Sequence, residues 1–305
     1  MSSSQRWAIV VLSWNGVDDT LACLASLADV DWPQLDVIVV DNGSADGSQS
    51  AVRAQFPAVT LIENGRNLGY AGGNNVGLRA AFERGADWVL LLNNDATLAP
   101  DAVRELDVVA RARPRAGILG GKVFFAEPSD RIWFAGQRFN AAIGYSGRPR
   151  GYRQPDAARY DEIVEVDRVV GACMAISRGV SDSIGLFDED LFAYVEDVDW
   201  SLRAREAGFQ VLFVPKARAW HRVAASSGGE AASTVSMYYG VRNTIVVSER
   251  HRPLPVGLRE LRRLVVVGTF AATASLGESR GAMLRAVLEG ARDARRGRLG
   301  QRAER

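Results

Sequence analysis

The chain has 305 residues, 47% of them hydrophobic, and a formal net charge of +1. That is enough apolar material for a full core, in one large domain or a domain with an appendage. Two cysteines, Cys23 and Cys173, exclude a disulfide framework and a cysteine metal cluster, and fit a reducing compartment. The charge is uneven: Glu249 to Arg305 holds 13 arginines against 6 acids, while the rest holds 24 basic and 30 acidic residues. A basic tail on a neutral body points to an acidic partner, membrane lipid or nucleic acid. The basic residues do not alternate with aromatics, which argues against nucleic acid. The opening MSSSQRWAIVV lacks a signal peptide's apolar stretch, and no run approaches the roughly 20 apolar residues that span a bilayer. A cytoplasmic protein is expected, able to reach the inner face of the cell membrane through its tail.

Taken in order, Trp7–Ser13 reads as a central strand and Val17–Ala28 as a helix with Leu21, Leu24 and Leu27 on one face. Asp36–Val40 is a second strand, ended by Asp41-Asn42-Gly43-Ser44, a turn and helix N-cap. Ala45–Phe56 is a helix, Val59–Ile62 a third strand, and Gly69–Arg84 a helix with a glycine-rich start. Val89–Leu92 fits a strand buried on both faces. A helix from Pro100 to Arg113 and a strand over Gly117–Phe125 follow. Ile132–Tyr160 has no clear period and reads as a long functional loop or small hairpin. Asp167–Ser177 returns to strand character, Val198–Ala207 is helical, and Val211–Val214 is a last strand leading to His221. Alternating strands and helices predict a parallel, three-layer α/β sheet. The tail, Leu258–Arg305, mixes apolar blocks with arginines. It suits an amphipathic helix on a membrane surface, or a helix packed on the domain or a second subunit with its basic face in solvent.

Four polar clusters sit at predicted strand ends: Ser13-Trp14-Asn15, Asp41-Asn42, Asn93-Asn94-Asp95, and Glu196-Asp197 with His221 beyond. Ligands of open α/β sheets bind in the crevice outside such ends. A carboxylate flanked by amides offers the oxygen ligands that hard cations take, although Asn-Asn-Asp is equally a turn sequence. Acids opening a helix at Glu196 and Asp197 also complement its dipole.

With these clusters in place, the sequence resembles the inverting glycosyltransferases of family 2, which have the GT-A fold. The matching stretches are VVLSWNG (Val10–Gly16), VIVVDNGSADGS (Val37–Ser48), NLGYAGGNNVGL (Asn67–Leu78), LLLNNDA (Leu90–Ala96) and GLFDEDLFAYVEDVDWSLRAREAG (Gly185–Gly208). They run in the family's order from about Trp7 to His221, and look most like rhamnosyltransferase-type enzymes of bacterial surface-polysaccharide assembly. The resemblance implies a mostly parallel sheet flanked by helices in a catalytic domain over 1–248. Residues 1–115 would bind the nucleotide-sugar and 116–248 the acceptor, with a helical extension over 249–305.

The resemblance also implies roles. Asp41 would accept the imide hydrogen of a uracil or thymine, with Ser13, Asn15, Asn67, Asn74 and Asn94 around the donor. Asp95, His221 and Asn93 would hold Mg²⁺ or Mn²⁺ on its diphosphate, although Asn93 replaces a carboxylate of the fuller family pattern, which should weaken the metal. Asp197 would be the general base, with Glu196 and Trp200 toward the acceptor, a glycan, lipid-linked glycan or natural-product hydroxyl. Trp200 reads equally as core, and Arg203 pairs with Asp199 one turn apart. The expected donor is dTDP-rhamnose or a UDP-sugar, and a homodimer is one way to cover the tail. Two other classes compete. A sugar nucleotidyltransferase would need cations after the first strand, where Ser13-Trp14-Asn15-Gly16 has none. A non-catalytic nucleotide-sugar or glycan-binding module would bind without turnover.

Overall fold

The computed structural model describes residues 5–139, 148–222, 233–275 and 279–303. Its elements begin β1 (Trp7–Ser13), α1 (Val17–Ala28), β2 (Asp36–Asp41), α2 (Ser48–Gln55), β3 (Thr60–Glu63), α3 (Gly69–Glu83) and β4 (Trp88–Asn93). Next come β5 (Ala96–Leu98), α4 (Ala102–Ala112), β6 (Ala116–Phe125), β7 (Ile132–Phe134), β8 (Val164–Glu165), β9 (Cys173–Ser177) and α5 (Arg178–Ile184). The chain continues through α6 (Glu196–Glu206), β10 (Gln210–His221), α7 (Thr234–His251), α8 (Val256–Ala274) and α9 (Arg280–Arg295). One ten-stranded sheet runs β3-β2-β1-β4-β9-β6-β10-β5, with β7 on β6 and β8 on β10.

β1 and β4 are apolar along their length because helices cover both sheet faces, and Ile9, Val10, Val11, Leu90 and Leu91 are fully buried. Their parallel register pairs Ser13 with Asp41 and Leu12 with Asn93, so three of the polar clusters come out at one edge. β9 runs antiparallel between β4 and β6, with Cys173 opposite Leu92 at that same edge. The sheet is therefore mixed where a parallel one is expected from the sequence, because an apolar run records burial on two faces and not strand direction. Of the expected strand Asp167–Ser177 only Cys173–Ser177 is extended in the sheet, which leaves Asp167 and Arg168 in a loop at the edge. The last strand is longer than expected. β10 absorbs Pro215 in a register shift between Val214 and Arg218, then pairs His221 with Ala96 and Phe125.

Two expectations at helix ends change. α2 begins at Ser48 behind Gly47 in the left-handed region (φ 85), so Asp41 caps a turn and not a helix. α7, with no counterpart among the expected elements, runs unbroken across the expected 248/249 boundary. Of the Ile132–Tyr160 segment, residues 140–147 lie outside the described residues; the remainder carries β7 and is tethered by buried Lys122, whose ammonium bonds Asp156 and Asp161 at 2.7 Å each.

α7, α8 and α9 share a second apolar cluster that includes Tyr238, Val241, Ile245, Val266 and Val287. Here α8 departs from the expectation of a packed helix with its basic face in solvent. Arg263 turns inward to bond Glu249 and Glu260, and buried Arg262 bonds the Arg252 carbonyl. Leu258, Leu261, Leu264 and Val265 face outward instead. Among the described residues, no helix is long and apolar enough to cross a membrane.

Candidate active site

The nucleotide side of the edge is built from turns that lean on one another. Asp41 is buried at the end of β2, and its Oδ2 accepts the N–H groups of Gly43 and Ser44 (3.1 Å each) and Gln49 Nε2 (2.9 Å). Its Oδ1 is buried with no partner, an acceptor that a base N–H can satisfy. Asn15 sits in the left-handed region (φ 48) and its Oδ1 accepts the Ala45 N–H at 2.8 Å, joining the loops after β1 and β2. Asn67 Oδ1 accepts from Asn42 Nδ2 and from the Gly69 N–H, which organises the turn into α3.

Three residues expected at the donor each spend one polar atom on a bond within the protein. Ser13 Oγ and Asn94 Nδ2 both meet Thr20 Oγ1, at 2.9 and 3.0 Å, and Thr20 donates to the Gly16 carbonyl. This knot ties β1 and the end of β4 to α1. Asn74 is buried and donates its amide to the Tyr70 carbonyl one turn back, so it serves α3.

Across from Asp41, β5 pairs with β10 and delivers His221 to the residue after Asn94. His221 Nε2 lies 2.9 Å from Asp95 Oδ1 and 3.2 Å from Asn93 Nδ2. Asp95 is buried, and its Oδ1 makes no hydrogen bond despite that closeness, because the imidazole is not aimed as a donor toward it. Two ligand atoms in contact without a bond between them suit a cation. Neighbouring ligands about 2.1 Å from an octahedral ion lie ~3 Å apart. Among the described residues no three His, Cys, Asp or Glu side chains gather, so further ligands would come from substrate and water. The half-buried Trp133 ring lies 4.5 Å from the His221 ring and walls this corner.

The acidic pair stands opposite. Glu196 and Asp197 open α6, both buried, and Asp197 Oδ2 accepts the Gly171 N–H at 3.2 Å with Arg168 Nη2 at 3.4 Å. Burial first, and the Asp197 charge second, push the Glu196 carboxyl up to about 8, so it keeps its proton at neutral pH. Burial, then the charges of Glu196, Asp197 and Asp95, push the Tyr70 phenol well above the usual range. Gly171 is needed here, since a Cβ on it would fall 2.5 Å from that hydroxyl.

The turn that launches α6 is strained. Phe192, Tyr194 and Val195 all have positive φ (63°, 66° and 73°), each at a cost of about 1–3 kcal/mol. Trp200, expected toward the acceptor, is instead fully buried against Phe187 with its indole N–H on the Gly185 carbonyl. The helical period turns that position inward. Arg203 does bond Asp199, at 2.8 Å. Arg168, Tyr70, Trp133 and Gly171 had no signal in the sequence beyond ordinary core or loop chemistry. Both cysteines are free and buried, and burial pushes their thiols up, Cys173 to about 11, so neither is a ready nucleophile.

Residues 5–238 match the model of a family described as "Glycosyltransferase like family 2". The chain is 30% identical over 251 residues to the N-acetylglucosaminyl-diphospho-decaprenol L-rhamnosyltransferase of Mycobacterium tuberculosis, covering 75% of this chain and 79% of that one. It is 25% identical over 233 residues to the dTDP-rhamnosyl transferase RfbF of Shigella flexneri, covering 74% and 75%. Among solved structures it is similar to the mannosyltransferase PcManGT of Pyrobaculum calidifontis in complex with GDP-Man and Mn²⁺. There the TM-score is 0.60 at 17% identity, with 96% of this chain and 88% of that chain covered. These solved neighbours are GT-A glycosyltransferases, and the mixed sheet with flanking helices is that fold. The chain belongs to glycosyltransferase family 2.

Proposed function

We propose that this glycosyltransferase moves a sugar, rhamnose first among the candidates, from a pyrimidine nucleotide donor to a hydroxyl of a lipid-linked glycan, with inversion. The observation that carries the reading is the sheet edge where adjacent strands bring the unsatisfied Asp41 Oδ1 and the Asp95–His221 pair to one side, with Asp197 held through Gly171 beside Tyr70. Asp41 takes the base N–H, while the backbone of the loops at Asn15 and Asn67 walls the nucleotide. Asp95, His221 and Asn93 would hold Mn²⁺ or Mg²⁺, which would supply positive charge to neutralise charge developing on the leaving nucleoside diphosphate.

Asp197 takes the proton of the attacking hydroxyl, and direct displacement at the anomeric carbon needs no second nucleophile. Protonated Glu196 has a hydrogen to donate to an acceptor oxygen. The wall at Trp133 offers an aromatic surface that Trp200, in the core, does not.

The outward face of α8 favours an acceptor held in a membrane. Leu258, Leu261, Leu264 and Val265 form an uncharged exposed stripe. The Mycobacterium tuberculosis relative is named for a decaprenol-linked substrate. The test is sugar transfer from dTDP-rhamnose and from UDP-sugars to a polyprenyl-diphosphate glycan, in detergent and in anionic vesicles. Transfer with inverted configuration is expected, faster in vesicles, and the vesicle advantage should vanish in Leu261→Glu/Leu264→Glu. Transfer with retention would overturn the mechanism. An equal rate in both media would overturn the membrane contact.

A further inference from the structure

The segment Asp190–Tyr194 carries five consecutive carbonyls, and every one of them accepts a bond from elsewhere in the chain. Ala71, in the first turn of α3, donates its N–H to the Phe192 carbonyl at 3.0 Å. The other four are met from α7 and from the chain beyond α9. Asn243 Nδ2 points at the carbonyls of Leu191, Ala193 and Tyr194, at 2.7–2.9 Å, sharing its two hydrogens among three acceptors. Arg242 Nη2 reaches the carbonyls of Asp190 (3.2 Å) and Leu191 (2.9 Å). Both side chains are fully buried, and Arg242 Nε fixes the Asn243 amide by donating to its Oδ1 at 2.8 Å.

A second layer holds the arginine itself. Gly300, in the left-handed region (φ 77), accepts from Arg242 Nη1 at 2.6 Å, and its own N–H donates to the Asp190 carbonyl at 2.6 Å. The Arg242 guanidinium also lies over the rings of Tyr238 and Tyr239. The segment so gripped is the one with positive φ at Phe192, Tyr194 and Val195, and it runs directly into Glu196 and Asp197. A backbone that unfavourable persists only where its surroundings over-determine it.

We infer that Arg242 and Asn243 are positioning residues for the Glu196–Asp197 pair, and that the segment around Gly300 locks them. The C-terminal helices thus act on the rate of transfer from outside the crevice. This inference rests on the reading of Asp197 as the base, but the clamp itself can be measured without that reading. Neither residue approaches the Asp41 or Asp95 positions through any bond described above, so donor binding should be spared.

The experiment compares wild type, Asn243→Ala and Gly300→Pro in the full chain, the last removing the Gly300 N–H and, because proline cannot adopt φ 77, shifting the carbonyl that holds Arg242 while every α7 side chain is kept. Hydrogen exchange followed by mass spectrometry should show faster exchange over residues 190–199 in both variants, with α3 and the central strands still protected. Turnover should fall by about 100-fold in Asn243→Ala, as a displacement of roughly 1 Å would cause. It should fall less in Gly300→Pro, while donor affinity in Mn²⁺ stays within about 3-fold of wild type, the size of change left when no donor contact is lost. Unchanged exchange over 190–199, or turnover and donor affinity falling together, would overturn the inference. If Asn243→Ala fails to fold, Gly300→Pro decides alone by the same readings. Wild type that transfers no sugar, with the exchange effect intact, would uphold the clamp and sink the catalytic reading.

Discussion

Asp197→Asn is expected to lower turnover by a factor of about 10²–10⁴, the usual contribution of a positioned general base, with donor affinity unchanged. The amide keeps the shape of the side chain and can still face the Gly171 N–H and Arg168. It cannot take the acceptor's proton. Since the proposed base would act only as the acceptor oxygen attacks, the loss is expected in kcat and not in donor binding. Glu196 sharpens the test. Below about pH 8 it holds its proton, so the pair carries one charge beside Tyr70. Above that value a second buried carboxylate appears next to Asp197, and the rate should fall. Steady-state kinetics across pH 6–10 should therefore show a descending limb near 8 that Glu196→Gln abolishes. Full activity in Asp197→Asn would assign the proton to another acceptor.

The second large effect is on stability. Asp199→Ala is expected to cost about 3–5 kcal/mol, the penalty for stripping one partner from a buried ion network. Asp199 is completely buried and meets Arg203 Nε at 2.8 Å, Arg250 Nη1 at 3.0 Å and His251 Nε2 at 2.9 Å, joining α6 to α7. Burial opposes its charge, but the His251 hydrogen bond and the arginine charges prevail and hold it down at about 2. Burial likewise opposes His251, and its bonds to Asp199 and Glu206 raise it above its ordinary 6.5. The carboxylate's contribution is present above its unfolded value of 3.8 and lost as pH falls toward 2. The imidazolium's is full below 6.5 and lost as pH rises through its raised value. Urea denaturation of wild type and variant should thus differ most between about pH 4 and 6.5. A gap that is small and flat with pH would mean that the network adds nothing.

What the sequence revealed follows from what each residue's neighbours are. β1 and α1 begin and end where apolar period and turn residues put them, because both effects act within a few residues. The same locality made Asp41 and Asp95 visible at the ends of apolar runs, and Asp197 at the opening of a helix. His221 was legible as lying beyond a last strand, but its meeting with Asp95 depends on β5 pairing with β10. No short-range pattern encodes that pairing. Trp200 was misplaced toward the acceptor because position in a motif does not say which way a helix faces. α7 was missed outright, and with it Arg242, Asn243 and the roles of Arg250 and His251. Its side chains are spent on the α6 launch and on α9 as well as on core, so it has no clean apolar stripe. In the basic tail the sequence does not say which face each arginine takes: Arg263, Arg295 and Arg302 are bound to acids of the helical unit, while Leu258, Leu261, Leu264 and Val265 of α8 face out.

In the proposed crevice a pyrimidine nucleotide would sit at Asp41 and a cation at Asp95 and His221. Its most direct test is calorimetric titration of wild type and Asp95→Ala with dTDP-rhamnose, UDP-sugars and GDP-mannose, with and without Mn²⁺. Binding of a pyrimidine donor is expected, strengthened by Mn²⁺ in wild type and unchanged by it in Asp95→Ala. Preference for the guanine nucleotide, or Mn²⁺ enhancement undiminished without Asp95, would contradict it.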